Sequence, residues 1–284
     1  MSKVKNDFYQ ELKTFVKTLE NHISTEDGQW TIKGFIDTYK NIYSISSDTK
    51  VVSKILEIHL FPQIIAFAEA IGYAVVLPEY QNYYPDLSFI NKRNETIKFA
   101  VDLKTTYRLE DYPGFCNGFT LGSHGEYFTN RQSTKNVQFP YGDYLGHFSL
   151  GIIYSRTSGT HSAETQTHRL SELQSITSVI GDFQFFVAEK WRIASDKSGS
   201  GNTANIGSIA KIEDVLAGKG VFSKLGEEWF DDYWMNYGKI TKKDKDGKTR
   251  KITTLTDFVE YRGGDTSLVV PKARKLKPKK KKNG

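Results

Sequence analysis

Apolar residues recur near the N-terminus at Phe8, Leu12, Phe15, Val16 and Leu19, the three-and-four spacing of an amphipathic helix, and predict one over about residues 5–21. A second helix is predicted from Thr49 to Ile71. There Val51, Ile55, Ile58, Ile64, Ile65 and Phe67 fall near helical spacing, Ser47-Asp48 stands at the start, and Pro62 should kink the helix or restart it. Shorter apolar or alternating runs predict strands near 30–32, 73–77, 86–91 and 97–105. A loop-rich stretch runs to about Lys135. Gly146 to Ser155 and Phe183 to Lys190 then read as strands, followed by short helices near 210–217 and 225–237. The mixture is α/β, with no internal repeat.

Chemistry enters where two of these strands meet. Val101-Asp102-Leu103-Lys104 alternates apolar and charged residues, so in a strand Asp102 and Lys104 share one face. Asp86 arrives behind Pro85, at a bend or strand start. Two carboxylates give a hard-oxygen site suited to Mg²⁺, beside a lysine that can approach a phosphate. Taken alone, Asp-x-Lys is usually a solvated ion pair of little energetic weight. Preceded by Pro-Asp and a strand hairpin, it matches the signature of the PD-(D/E)XK nucleases. Glu57 lies on the second predicted helix, where most carboxylates simply face solvent.

The run Gly199-Ser200-Gly201-Asn202-Thr203-Ala204-Asn205 has no side chain able to anchor a core and reads as a loop. It formally fits the G-x-G-x-x-G/A dinucleotide fingerprint, but Asp196-Lys197-Ser198 before it and Asn205-Ile206-Gly207 after it do not supply the required strand and helix. Base reading suits it better: Asn can bond adenine N6 and N7, a Thr methyl can touch thymine, and bare glycine amides can approach base edges. Cys116 is the sole cysteine and has no evident base nearby, so a Cys-His centre and a disulfide framework both drop out.

Together these segments resemble the EcoRV-type type II restriction endonucleases, from about Ser47 to Tyr237. The resemblance rests on Ser-Asp-Thr-Lys (47–50), Tyr-Pro-Asp (84–86), Asp-Leu-Lys-Thr-Thr-Tyr (102–107), Phe-Thr-Leu-Gly (119–122), Thr-Lys-Asn (134–136), the glycine-rich segment 199–209 and Asp-Tyr-Trp-x-Asn-Tyr (232–237). It implies a restriction-endonuclease-like core, a mixed central sheet flanked by helices. Asp86 and Asp102 match metal-binding carboxylates, Lys104 the catalytic lysine, and Glu57 a helical carboxylate that assists a second metal position. Gln81 and Asn82 match a loop that approaches the minor groove. Gly199, Gly201, Asn202, Thr203 and Asn205 match the recognition loop in the major groove, while Thr105, Thr106, Lys135 and Trp234 match regions near the DNA backbone. The resemblance further implies Mg²⁺ as cofactor and a homodimer on double-stranded DNA. It implies blunt cleavage at the centre of GATATC or a close relative, and a cognate methyltransferase that protects the host. Tyr80 departs from the pattern, standing where the type member has a polar amide; Ala204 replaces a Thr, and the segment from Leu121 to Lys135 is longer by about two residues.

Charge adds a division. Of 39 Lys/Arg and 33 Asp/Glu, 16 and 5 lie from Lys239 onward, leaving 23 against 28 before it. The basic excess is C-terminal. Such a segment adds salt-dependent, sequence-blind affinity for phosphates. We therefore divide the chain into an N-terminal helix and dimerisation region (1–45, with Trp30, Ile32 and the Phe35–Tyr43 run as its surface), a nuclease core (46–238) and a basic extension (239–284) with a disordered end. The sequence shows no run of membrane length and no secretory segment, and a cytoplasmic enzyme is expected. Two competing classes remain. A structure-selective resolvase or repair nuclease would share the chemistry but not need the Gly-Ser-Gly-Asn-Thr loop. A non-cleaving DNA-binding protein would have no use for carboxylates beside phosphates, where they repel.

Overall fold

Ser2 accepts the Lys5 N–H at 3.3 Å and so opens α1 (Lys3–Ile23), whose buried stripe is Phe8, Leu12, Val16, Leu19 and Ile23. Asp48 does the same for α2 (Thr49–Ala70), accepting from Lys50 at 2.9 Å and Val51 at 3.2 Å. A computed structural model describes residues 2–157, 166–199, 204–243 and 247–273. In it α2 passes Pro62 as one element, so the expected restart does not occur. Pro62 and Ile58, four residues earlier, both lie on the exposed side, where a carbonyl displaced by the proline ring faces water. α2 is also long and apolar enough to cross a membrane, which amends the sequence expectation of no such run. Val52, Ile55, Leu56, Leu60, Ile64 and Ala68 are buried, and Phe67 stacks on Phe15 of α1 at 4.3 Å, as in a core helix.

The strands follow as β1 (Gly34–Ile36), β2 (Asn41–Ser44), β3 (Tyr73–Val76), β4 (Leu87–Asn91), β5 (Lys98–Tyr107), β6 (Thr120–Ser123), β7 (Tyr144–Arg156), β8 (Thr167–Arg169) and β9 (Ile180–Glu189). Then come β10 (Ala194–Ser198), β11 (Asn205–Ser208), β12 (Thr241–Lys243) and β13 (Thr249–Lys251). Beyond α1 and α2 the helices are α3 (Glu126–Thr129), α4 (Ile212–Leu216), α5 (Glu227–Asn236) and α6 (Leu255–Tyr261). The main sheet has five strands in the order β3-β4-β5-β7-β9. Smaller sheets are β1-β2-β8, β10-β11-β6 and the ribbon β12-β13. The fold class is thus the mixed α/β one expected.

Two compact units form. One comprises Met1–Val75, Leu103–Arg108 and Leu150–Val187; the other comprises Val76–Asp102, Leu109–Ser149 and Ala188–Gly284. They interleave along the chain, whereas the sequence division at 45 and 238 is consecutive. In the first, the strand expected near 30–32 is replaced by an isolated bridge between Trp30 and Ser24. Trp30 is fully buried and donates through Nε1 to His59 Nδ1 at 3.3 Å, so it belongs to the core rather than to a surface. In the second, the stretch expected to be loop-rich also holds β6 and α3.

The basic extension is folded up to residue 273, with the expected disordered end lying outside the described residues. Leu255, Phe258 and Val259 of α6 are buried, and Phe258 meets Tyr233 of α5 edge to face at 5.3 Å. Asp196 of β10 accepts the Leu255 N–H at 3.2 Å, and Tyr233 Oη donates to the Asp196 carbonyl at 2.8 Å. The sequence reading missed this because charge masked four apolar anchors, Ile252, Leu255, Phe258 and Val259. Phe258→Ala should therefore cost about 3–5 kcal/mol of stability in a urea titration, the usual range for emptying a buried aromatic site.

Candidate active site

β4 and β5 pair antiparallel with Leu87 opposite Val101 and Phe89 opposite Phe99. Carried one position further, that register sets Asp86 opposite Asp102. The Asp86 N–H confirms the approach by donating to Asp102 Oδ1 at 3.2 Å. Residues so opposed have Cβ atoms about 4.5–5.5 Å apart on one face of a sheet. Asp102 is 5% exposed and Asp86 is half-buried. Lys104 follows Asp102 by two residues on the same continuous strand, so strand geometry alone puts its side chain on the same face. The two carboxylates thus meet across the hairpin, with Lys104 following two residues on along β5.

An aromatic wall that no local pattern foretells stands beside Asp102. Burial, then Tyr141 and Asp102, push the Tyr84 hydroxyl well up; burial, with Asp102 adding, does the same to Tyr127. These phenols stay protonated donors. Tyr84 Oη lies 2.9 Å from His147 Nδ1, and His147 stacks on Tyr141 at 3.7 Å. Lys190, 3% exposed, holds its ammonium 4.9 Å from the Tyr84 ring centre and 5.3 Å from those of Phe128 and Tyr141. Gly122, at φ +86°, makes room for it: a Cβ there would lie 3.3 Å from Lys190 Nζ and 3.2 Å from Tyr127 Oη. Alternation along Phe183–Lys190 shows only a strand end. Nothing in that pattern marks a buried ammonium.

The remaining expected residues are scattered. Glu57 is on α2, in the unit that begins with α1, and pairs with Lys54 at 2.7 Å; its side chain is 42% exposed. Gln81 and Asn82 are exposed at the tip of a turn closed by the Tyr83 N–H on the Tyr80 carbonyl at 2.9 Å. Gly199 and Asn205 frame the segment expected to read bases: the Gly199 N–H donates to the Asn205 carbonyl at 2.8 Å, and Asn205 pairs with Ser123 of β6. Gly201, Asn202 and Thr203 lie outside the described residues. Thr105 is half-buried and Thr106 is buried on β5. Lys135 is exposed and pairs with Glu126 at 3.2 Å, an ion pair of small energetic weight. Trp234 is fully buried, packed against His124 at 5.1 Å and Tyr237 at 4.8 Å, so its ring is core.

The mixed α/β architecture agrees with two comparisons. The family described as restriction endonuclease EcoRV matches residues 26–263. The type II restriction enzyme EcoRV of Escherichia coli is 36% identical over 246 residues, 86% of this chain and 97% of that protein. The chain therefore belongs to the EcoRV restriction endonuclease family.

Proposed function

We propose that this type II restriction endonuclease cuts both strands of a short palindromic DNA site with Mg²⁺, most simply GATATC or a close relative, leaving blunt ends. The single observation that carries the chemistry is the β4–β5 register, which opposes Asp86 to Asp102 two residues before Lys104. Among the described residues there is no group of three or more potential protein ligands, so the donors here are two carboxylates. That suits Mg²⁺, which keeps several waters and takes one or two carboxylates plus phosphate oxygens. When bound, the ion supplies charge relief at the phosphate and a more acidic water.

The protein's own groups do the rest. Asp86 and Asp102 would hold the ion and orient the water in line with the scissile bond. Lys104 brings three N–H donors to the same face and offsets negative charge on the pentavalent phosphorane. Glu57 is an auxiliary carboxylate that would exchange its exposed Lys54 partner for this task. Specificity is assigned to the loop between Gly199 and Asn205, held on β10, β11 and β6, with Gln81 and Asn82 at the minor groove and Thr105, Thr106 and Lys135 toward the backbone. We place the enzyme in the cytoplasm beside a methyltransferase that marks the same site.

A palindrome asks for a two-fold protein. Phe35, Ile36 and Tyr39 on the β1–β2 hairpin are 54%, 59% and 85% exposed, apolar surface that a second copy would cover. Plasmid DNA should yield discrete fragments with Mg²⁺ and none without it, and sequencing their ends gives site and cut position together; intact plasmid would sink the proposal. Lys104→Ala should slow cutting at least about a hundredfold while site-specific binding in Ca²⁺ holds, and equal loss of both would make Lys104 a binding residue. Ile36→Asp should shift the protein toward monomer in sedimentation velocity, whereas an unchanged coefficient would remove this hairpin from the dimer surface.

A further inference from the structure

Past residue 263, where the family match ends, the chain continues as a strap to Ala273. Its middle, Thr266 to Leu268, is a single exposed turn of 3-10 helix, so apolar burial does not explain why the strap is held down. Its ties are polar. The Gly264 N–H donates to the Val259 carbonyl at 2.8 Å, the Val270 N–H donates to the Val221 carbonyl at 3.2 Å, and Lys272 Nζ pairs with Asp196 Oδ1 of β10.

β10 is a strand that needs outside support. It lies at the edge of the sheet β10-β11-β6, and its pairing with β11 shifts register between Ala194 and Ser198, so the ladder alone does not fix Asp196. The C-terminal part of the chain does. Asp196 Oδ2 accepts the Leu255 N–H at 3.2 Å, its carbonyl accepts from Tyr233 Oη at 2.8 Å, and the neighbouring Lys197 Nζ donates to the Thr253 carbonyl at 3.2 Å. Lys272 takes the other carboxylate oxygen. Ion pairs between exposed groups contribute little, but the Asp196 side chain is only 11% exposed, and a carboxylate so placed is costly to leave without its cation. Asp196 stands three residues before Gly199, whose N–H closes on the Asn205 carbonyl. A shift at Asp196 is therefore carried along a short strand to the entrance of the segment proposed to read bases.

We infer that Lys272 is a positioning residue for sequence discrimination: through Asp196 it sets the strand end from which the segment 199–205 meets base edges. The inference rests on the nuclease reading above. Its measure is the ratio of kcat/KM on the duplex that the wild-type enzyme cuts to kcat/KM on a duplex altered at one base pair, joined to binding of both duplexes in Ca²⁺ over a range of salt. Lys272→Met should lower the ratio about tenfold, the worth of one weakened base contact. Lys272→Arg should restore it to within about threefold of wild type. The salt slope of binding should not change, because the Lys272 charge is spent on Asp196 and releases no counterions from DNA. Asp196→Asn should show the same tenfold drop, and adding Lys272→Met to it should change the ratio by less than about twofold, as for two residues acting through one contact. That double variant leaves no unpaired carboxylate, so it carries the test where Lys272→Met alone folds poorly. A ratio within about twofold of wild type in Lys272→Met, or in the double variant, overturns the inference. So does an equal loss on both duplexes with a flattened salt slope, which would make Lys272 a phosphate contact, or a further drop in the Asp196→Asn background. A wild-type protein that cuts no duplex overturns the nuclease reading and this inference with it, whereas a cutting enzyme whose discrimination ignores Lys272 overturns this inference alone.

Discussion

The site depends on a hairpin register that places two carboxylates across from one another. Like charges directly opposed on a sheet are destabilising, and Asp102 is nearly buried, where an ionised group needs partners. The backbone N–H of Asp86 donates to Asp102 across the hairpin, and Tyr84 and Tyr127, whose hydroxyls Asp102 helps keep protonated, line its surroundings. The arrangement makes poor sense as packing and good sense as a cation site. A one-residue slip of β4 against β5 would turn Asp86 to the other face and end the chemistry. The long apolar pairing from Leu87 to Ile90 against Lys98 to Val101 holds the register fixed.

The segment proposed to read bases is framed by a second set of strands within the same unit as the two carboxylates. β11 lies between β10 and β6, so the recognition loop leaves and returns on backbone ladders rather than on side chains. Asp196, three residues before Gly199, is braced from behind: its carboxylate accepts the Leu255 N–H and pairs with Lys272, and its carbonyl accepts from Tyr233. The segment from 252 to 272 therefore braces the end of β10 at Asp196. That assigns the folded part of the basic extension a mechanical role in addition to its charge.

Legibility in the sequence followed the range of the interaction. α1, β4, β5, β7 and β9 are readable because period and burial coincide along them, and the shared face of Asp102 and Lys104 because it follows from strand alternation, whereas Asp86 meets Asp102 through the hairpin register. β1, β2 and β8 were not, since three- and four-residue strands with exposed Phe35, Ile36 and Tyr43 carry no clean alternation. Lys190 and His147 were invisible for another reason. Their roles arise from rings contributed at positions 84, 127, 128 and 141, a long-range juxtaposition that no local pattern encodes. Trp234 shows the opposite error: a motif match suggested a DNA-facing region, and the residue is the filling of an aromatic core.

Charge distribution closes the argument about how such a body meets DNA. Up to residue 238 the chain carries 23 Lys/Arg against 28 Asp/Glu, a net negative body for a polyanionic substrate. Attraction at distance must then come from the remainder, 16 against 5, and attraction at contact from the few cations aimed at the site. The first kind is blind to sequence and screened within about 10 Å at ordinary ionic strength. The second, on the proposed site, acts only at contact. On the proposed function, separating them would let the enzyme gather DNA through one segment while cleavage answers to another, and carboxylates which repel phosphate would become useful only once a cation joins them.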